Sequence, residues 1–204
     1  MASYASEVKK ELTSLEVHPE HAKAELAAFL RMNGVLNLHD HQFSLDITTE
    51  NPAIARRIFK LIKVAYGIEP LLIVSRKMKL KKNNQYLVRL NQKVQEILEN
   101  LQIWDPEKGL VTRIPERIRK SREGAMSYLR GAFLAGGSVN NPETSRYHLE
   151  FFVNELEEAN FVSNLLNEFS LNSKVIKKDK KYMVYIKEAE KIGDFLRIIS
   201  ANQA

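Results

Sequence analysis

Two segments of the chain carry side chains suited to binding an anionic partner. Each is a predicted β-hairpin rich in lysine and arginine. The first, residues 71–91, has no acid, and its basic residues are Arg76, Lys77, Lys79, Lys81, Lys82 and Arg89. The second, residues 172–187, has one acid, and its basic residues are Lys174, Lys177, Lys178, Lys180, Lys181 and Lys187. Such clusters bind nucleic-acid phosphates through counterion release. One cluster would indicate a solvated edge protected by lysines, whereas two matching clusters favour nucleic acid.

Side chains for other chemistries are absent or isolated. The chain has no cysteine, which excludes disulfides, thiolate nucleophiles and cysteine-based zinc sites. It has neither a glycine-rich phosphate loop nor a signature of Ser-His-Asp catalysis. His39, Asp40 and His41 form a short cluster, but a metal site needs further ligands, and the pattern is more typical of a turn. The sequence therefore predicts no metal and no other cofactor.

The basic hairpins lie at equivalent places in an internal repeat. Residues 26–34 read Leu-Ala-Ala-Phe-Leu-Arg-Met-Asn-Gly, and residues 129–137, 103 positions later, read Leu-Arg-Gly-Ala-Phe-Leu-Ala-Gly-Gly. The helix predicted after an Asn51 cap recurs at the same offset, after a predicted Asn154 cap. A third helical stripe recurs at an offset of 98: Val94, Ile97, Leu98 and Leu101 match Ile192, Phe195, Leu196 and Ile199. The chain is therefore predicted to be one supersecondary unit duplicated with pseudo-two-fold symmetry.

Each copy is predicted to contain a helix, two strands, a helix, two strands and a helix. Phe43, Leu45 and Ile47 alternate with polar residues, which indicates a strand with one buried face. Alternation of this kind predicts antiparallel sheets that helices cover on one side only. The fold class is therefore α+β.

The chain is expected to divide into four segments. Residues 1–20 form an N-terminal helical extension, 21–101 the first repeat, 102–122 a linker without clear periodicity, and 123–204 the second repeat. No apolar run approaches the roughly 20 residues of a membrane span. With neither a signal region nor cysteine, the expected location is the cytoplasm.

The doubled motif and the strands and helices after it resemble the LAGLIDADG homing endonucleases. A closer resemblance is to the WhiA family of bacterial sporulation and cell-division regulators, whose N-terminal half is a degenerate LAGLIDADG domain. It rests on residues 27–34, 49–61 and above all 129–139. The resemblance implies a duplicated α-β-β-α-β-β-α fold with two antiparallel sheets forming a saddle. It also implies a C-terminal helix-turn-helix; no such pattern precedes Ala204, so the chain is expected to be part of a longer protein.

The nucleases that the chain resembles carry an acid before the last glycine of each motif. The two acids hold divalent metals for phosphodiester hydrolysis. The matching positions here are Asn33 and Gly136, which supply no carboxylate. The resemblance therefore implies a catalytically inactive domain rather than an enzyme. The remaining motif residues would serve close packing of two helices, through Ala27, Ala28, Gly131 and Ala135.

Together these features predict an inactive domain of a bacterial regulator that binds double-stranded DNA at the nucleoid. Two alternatives remain open. Acids outside the motif positions, Glu25, Asp40 or Glu50, would make the chain a metal-dependent endonuclease if they replaced the lost pair. Alternatively, the sheets are a docking surface or scaffold for protein, and DNA binding is left to the helix-turn-helix.

Overall fold

The computed structural model describes residues 3–76, 84–111, 116–141, 143 and 146–200. The first half contains α1 (Tyr4–Thr13), α2 (Pro19–Asn33), β1 (Val35–His39), β2 (Gln42–Thr49), α3 (Pro52–Tyr66), β3 (Leu71–Arg76), β4 (Asn84–Leu90) and α4 (Val94–Asn100). The middle contains β5 (Trp104–Asp105), β6 (Gly109–Leu110) and α5 (Glu116–Lys120). The second half contains α6 (Arg122–Gly136), β7 (Gly137–Val139), β8 (Leu149–Val153), α7 (Leu156–Glu168), β9 (Lys174–Lys178), β10 (Lys181–Ile186) and α8 (Ala189–Ile198). No helix in these described ranges is long and apolar enough to cross a membrane.

Each half builds its own four-stranded sheet, and the two sheets have the same topology. The strand order is β1-β2-β4-β3 in the first half and β7-β8-β10-β9 in the second, and every neighbouring pair is antiparallel. The predicted α+β class and the duplicated α-β-β-α-β-β-α order are therefore confirmed. β3 and β9 are equivalent edge strands, and β1 and β7 form the opposite edges.

Alternate side chains of each sheet pack against the helices. Leu45 and Ile47 of β2 are buried and lie opposite Leu90 and Val88 of β4. The same face of the second sheet buries Leu149, Phe151 and Val153 of β8 against β10. The intervening side chains point away from the helices, as expected for a two-fold strand periodicity. We call this second surface the outer face of each sheet.

The helix after the first hairpin begins as predicted, but its counterpart does not. Asn51 caps α3 by accepting hydrogen bonds from the amides of Ala53 and Ile54, at 2.9 and 3.2 Å. The predicted Asn154 cap of α7 is wrong, because the N-cap is Glu155, which makes no side-chain capping bond. Pro52 fixes the backbone at the start of α3. The second copy has no proline there, and its helix begins one residue later relative to the repeat.

The segment expected to be a linker contains short elements of its own. β5 and β6 form a two-stranded hairpin, and α5 follows it. Trp104 in β5 contacts Phe43 of β2 edge to face, with ring centroids 5.4 Å apart. Strands of two residues and a helix of five are too short for a hydrophobic period to reveal them.

Candidate nucleic-acid interface

The two motif helices, α2 and α6, form the most extensive helix–helix contact among the described elements. Ala27, Ala28 and Gly131 are buried in or beside this contact, and Ala135 is partly buried. A Cβ atom at position 131 would lie 2.3 Å from the carbonyl oxygen of Glu25 and 3.0 Å from the Cβ of Ala28. The helices therefore approach so closely that one of them needs a glycine at the crossing.

The two positions that hold acids in the active nucleases have structural contacts here. The side-chain amide of Asn33 donates a 3.0 Å hydrogen bond to the carbonyl oxygen of Ala135, which ties the end of α2 to the last turn of α6. Gly136 lies so close to β8 that a Cβ atom there would be 2.8 Å from the backbone oxygen of Phe152 and 2.9 Å from the terminal methyl of Met32. The Met32 methyl can move, but the Phe152 backbone is held in the sheet.

These residues do not fit the divalent metal of a LAGLIDADG nuclease. Hard divalent cations prefer carboxylate and other oxygen ligands. Gly136 supplies no side-chain ligand, and Asn33, whose Nδ2 donates to Ala135, supplies only an uncharged amide oxygen. Within the described ranges, no three His, Asp or Glu side chains are grouped so that they could hold a metal ion.

Glu25, an acid that could have replaced the lost pair, is fully buried between two arginines. Its exposed fraction is 0%. Arg57 forms a bidentate pair with it, Nε to Oε2 at 2.8 Å and Nη2 to Oε1 at 2.9 Å. Arg130 of the second repeat donates from Nη1 to Oε1 at 3.2 Å. Both carboxylate oxygens are thus satisfied inside the protein, and Glu25 is not available to a metal or to DNA.

The other two acids considered lie on the surface of the first repeat. Asp40 is exposed and adopts a left-handed backbone conformation in the β1–β2 turn, with φ of 50°. Glu50 is exposed between β2 and α3. Neither lies in a motif helix.

The ion cluster of Glu25, Arg57 and Arg130, which we call the buried triad, joins distant parts of the chain. Arg57 also donates to the carbonyl oxygen of Leu15, in the segment between α1 and α2. Arg130 also donates from Nε to the carbonyl oxygen of Ile199, just after α8, at 3.0 Å. The triad therefore connects both repeats to the segments that flank them. Sequence reasoning missed it, although a charged residue within each apolar helical stripe was the available signal.

The second repeat has a different buried pair at the corresponding place. Tyr128, 103 positions after Glu25, donates its hydroxyl hydrogen to Oε1 of Glu158 on α7. Burial raises the pKa of Glu158, while the Tyr128 hydrogen bond and the charge of Arg31 oppose that rise. Burial and the nearby Glu158 carboxylate raise the pKa of Tyr128 well above its usual value.

The outer face of the first sheet carries fewer free cations than the sequence suggested. Arg89 of β4 lies opposite Asp46 of β2 and forms a bidentate pair with it, at 2.8 and 3.0 Å. Leu71 and Ile73 of β3 extend the same face as exposed apolar side chains. Arg76 is exposed at the end of β3. The remaining predicted phosphate contacts of this hairpin lie outside the described residues: Lys77, Lys79, Lys81 and Lys82.

The second basic hairpin is exposed, and four of its six lysines lie at its turn. All six predicted lysines are exposed, and none has an ion-pair partner among the described residues: Lys174, Lys177, Lys178, Lys180, Lys181 and Lys187. Lys178 and Lys181 lie directly opposite each other across β9 and β10. Lys187 instead lies over the Tyr185 ring, with Nζ 5.3 Å from its centroid. Like charges in direct cross-strand contact destabilise a sheet, so this end of the hairpin favours an anionic partner.

An apolar row borders Lys178 and Lys181 on the outer face of the second sheet. Phe152, Met183 and Ile176 are neighbours across β8, β10 and β9, and the first and last are exposed. The next row holds Lys174, Tyr185 and Glu150, and the Glu150 carboxylate lies 3.1 Å from Nε2 of His148. The outer face of the second sheet is thus basic at the hairpin end and apolar beside it.

Sequence comparisons identify both repeats. The model of the WhiA N-terminal LAGLIDADG-like domain matches residues 19–104, and the model of the WhiA LAGLIDADG-like domain matches residues 125–204. The chain is 82% identical over 205 residues to a probable cell division protein WhiA of Lactobacillus acidophilus and 80% identical to that of Lactobacillus helveticus. Each match covers 100% of the chain, which spans 66% of the length of either relative.

Solved structures show the same fold at low sequence identity. The crystal structure of the N-terminal LAGLIDADG domain of DUF199/WhiA is similar, with a TM-score of 0.73 and 23% identity, over 98% of this chain and 91% of that one. The homing endonuclease I-DmoI in complex with DNA and Mn gives a TM-score of 0.61 and 15% identity, over 90% of this chain and 98% of that one. The fold is that of a LAGLIDADG protein in which Asn33 and Gly136 occupy the positions of the two acids. With the sequence matches, this establishes that the chain belongs to the WhiA family.

Proposed function

We propose that the chain is a catalytically inactive, DNA-binding part of a bacterial regulator of cell division and transcription, acting at the nucleoid. The observation that carries the proposal is the exposed lysine cluster on β9 and β10, including the opposed Lys178 and Lys181. The homing endonuclease I-DmoI, which has a similar fold, is found in complex with DNA, and a paired β-ribbon can enter a major groove. Fold likeness alone does not determine function, so the argument depends on the side chains.

The charge pattern supports contacts with phosphates more than reading of bases. Four of the lysines lie at the end of the hairpin, around the turn formed by Asp179 and Lys180: Lys177, Lys178, Lys180 and Lys181. Farther along the outer face of the second sheet come an apolar row and then a row in which Lys174 and Glu150 flank Tyr185. On the outer face of the first sheet, Asp46 is paired with Arg89. Phosphate contacts fix a protein on a duplex but carry no sequence information directly. We therefore expect affinity that depends strongly on salt and weakly on DNA sequence.

The contacts of the motif positions support inactivity. A nuclease of this fold would need a carboxylate at both helix ends to hold its metal. Asn33 instead bonds the Ala135 carbonyl, and Gly136 has no room for a side chain. Asn33 and Gly136 thus supply no charged metal ligand, and their contacts instead pack α2 against α6 and α6 against β8.

Substitution of the second hairpin tests the DNA-binding part of this proposal. A variant with Lys174→Gln, Lys177→Gln, Lys178→Gln and Lys181→Gln should bind a random duplex at least tenfold more weakly in low salt, as measured by fluorescence anisotropy. The slope of log affinity against log salt should also fall by about 0.9 for each lost phosphate contact. Unchanged affinity and slope would exclude this hairpin as the contact surface.

A matched control separates the position of the charge from its amount. Lys10, Lys108, Lys120 and Lys191 lie on α1, the β5–β6 hairpin, α5 and α8, outside the two large sheets. Changing these four to glutamine removes the same formal charge and should alter the salt slope much less. Equal effects of the two variants would indicate general attraction rather than a binding surface.

A protein-docking role is the second candidate. It is favoured by the exposed apolar side chains of the outer faces, of which Phe152, Ile176 and Ile73 are the clearest. Under this hypothesis, a partner protein covers the apolar rows, and DNA binding resides elsewhere in the longer protein. Binding of that partner would be lost in Phe152→Glu and retained in the four-lysine variant, the reverse of the result expected for DNA.

A further inference from the structure

The two equivalent edge strands, β3 and β9, are protected to very different degrees. An edge strand presents unpaired backbone groups, which proteins commonly shield with lysines. β9 carries three lysines among its five residues. β3 has the sequence Leu-Leu-Ile-Val-Ser-Arg, with no charge before its last residue, and every one of its six residues is exposed.

β3 is also uncovered on the side where helices shield the rest of its sheet. Leu72 and Val74 point to the helix side, opposite Val88 and Tyr86, yet their exposed fractions are 41% and 54%. Val175 of β9, which pairs with the buried Val184, packs against the core instead. Leu71 and Ile73 are exposed on the outer face of the first sheet. Among the described residues, none covers β3 on either face or along its free edge, and an exposed apolar patch of this kind marks an interaction site.

We propose that β3 pairs with β3 of a second copy of this chain, forming an antiparallel eight-stranded sheet across a two-fold axis. A two-fold axis perpendicular to the sheet keeps the helices of both copies on one side, so only side chains of the same face can lie opposite each other. In the register centred on Ile73, Leu72 of one copy lies opposite Val74 of the other, and Leu71 lies opposite Ser75. Every pair inside the strand is then apolar or neutral.

The charges of the two edge strands favour pairing of β3 with a second copy over binding of nucleic acid or pairing through β9. A neutral, apolar edge does not favour nucleic acid, because cations supply most of a protein's affinity for phosphates. Self-pairing of β9 in the equivalent register would place Lys174 opposite Lys178 twice, which is repulsive. Self-pairing of β3 opposes no like charges, because Arg76 falls opposite Pro70. The first edge is therefore compatible with its own copy, and the second is not.

The molar mass in solution tests this pairing. One strand pair buries less than the roughly 1,600 Å² of a standard interface, so we expect a dimer with a dissociation constant in the micromolar range. Sedimentation velocity of the chain from about 5 to 500 µM should show a concentration-dependent shift from one copy to two. A single species of monomer mass at every concentration would overturn the proposal.

Two equivalent isoleucines provide a matched pair of variants. Ile73 and Ile176 occupy the same place in the two edge strands, and their exposed fractions are 40% and 41%. Ile73→Lys should keep the chain monomeric over the whole range, whereas Ile176→Lys should leave the dimer unchanged. A dimer that survives Ile73→Lys, or is lost equally in both, would show that another surface is responsible.

Cysteine substitution tests the register, because the chain has no cysteine of its own. In the proposed register, the Cα atoms of the two Ile73 residues are about 4.5–5.5 Å apart, within the range that a disulfide spans. Ile73→Cys should therefore form a covalent dimer under mild oxidation. Leu71→Cys, on the same face, would place its thiols about 13 Å apart and should not. Equal cross-linking of both variants would exclude this register.

Discussion

The two repeats share a backbone plan but carry different side chains at almost every position that chemistry would need. At the start of the motif, Glu25 pairs with two arginines in one half, whereas Tyr128 pairs with a carboxyl in the other. At its end, Asn33 makes a hydrogen bond and Gly136 only packs. At the sheet edge, β3 is apolar and β9 is basic.

This difference separates what the fold requires from what catalysis would require. Strand order is the same in both halves, and each half contributes one helix to the contact between α2 and α6. A nuclease with a metal site on the pseudo-two-fold axis would also need the same acid twice. Neither motif of this chain has that acid: Asn33 takes its place in the first motif and Gly136 in the second. The two halves therefore have the same backbone topology, but their side chains at the motif positions differ.

Removal of the Glu25 charge should have the largest effect on stability. Glu25→Gln leaves two buried arginines without a counter-charge and should lower the free energy of unfolding by about 3–5 kcal/mol, as measured by urea denaturation. Tyr128→Phe removes one hydrogen bond from the equivalent place in the second repeat and should cost about 1–2 kcal/mol. Equal losses would contradict the greater role that we assign to the triad.

An extra methyl at the helix crossing should have the next largest effect. Gly131→Ala should lower the free energy of unfolding by about 1–3 kcal/mol, because the new Cβ would press on the Glu25 backbone. Position 131 corresponds to Ala28 in the first repeat. The exchange variant Ala28→Gly with Gly131→Ala should remain destabilised, since the closer obstacle is the backbone oxygen. Full recovery in the exchange variant would show that only the two side chains decide which helix carries the glycine.

Reintroduction of the first nuclease acid should change stability modestly, and reintroduction of both should restore no activity. Asn33→Asp loses the donor to Ala135 and places a negative charge at the end of α2, which should cost about 1 kcal/mol. Combined with Gly136→Asp, it should still not nick supercoiled plasmid in magnesium or manganese, because Phe152 obstructs the second side chain. Metal-dependent nicking by the double variant would show that the two acids alone were missing.

The smallest expected effect is a change in pH dependence. The raised pKa of Glu158 means that the folded state holds this proton more tightly than the unfolded state, whose ordinary value is 4.5. Stability from this group is present below 4.5 and is lost as pH rises from there through the raised pKa. Glu158→Gln should flatten that decline in urea denaturation, and Glu157→Gln, at an exposed neighbour, should not. A decline of the same size in all three proteins would assign it to other groups.

The sequence predicted the features that depend on local periodicity. The repeated motif, the α3 cap at Asn51 and the strands of the two basic hairpins are present within a residue or two. Neighbours set by register or by long-range packing were not predicted. Arg89 was expected to face DNA freely, but cross-strand register places Asp46 beside it. Glu25 was a candidate metal ligand, but it is buried and paired with Arg130, a residue 105 positions away in the sequence.

Binding and cleavage measured in one experiment test the central claim most directly. A random 30-base-pair duplex, followed by fluorescence anisotropy at several salt concentrations with and without magnesium, reports affinity and its salt slope. The recovered duplex then reports cleavage. We predict salt-sensitive binding with the duplex intact under every condition. Cleaved DNA would contradict inactivity, and no binding even at low salt would contradict DNA recognition by this part of the protein.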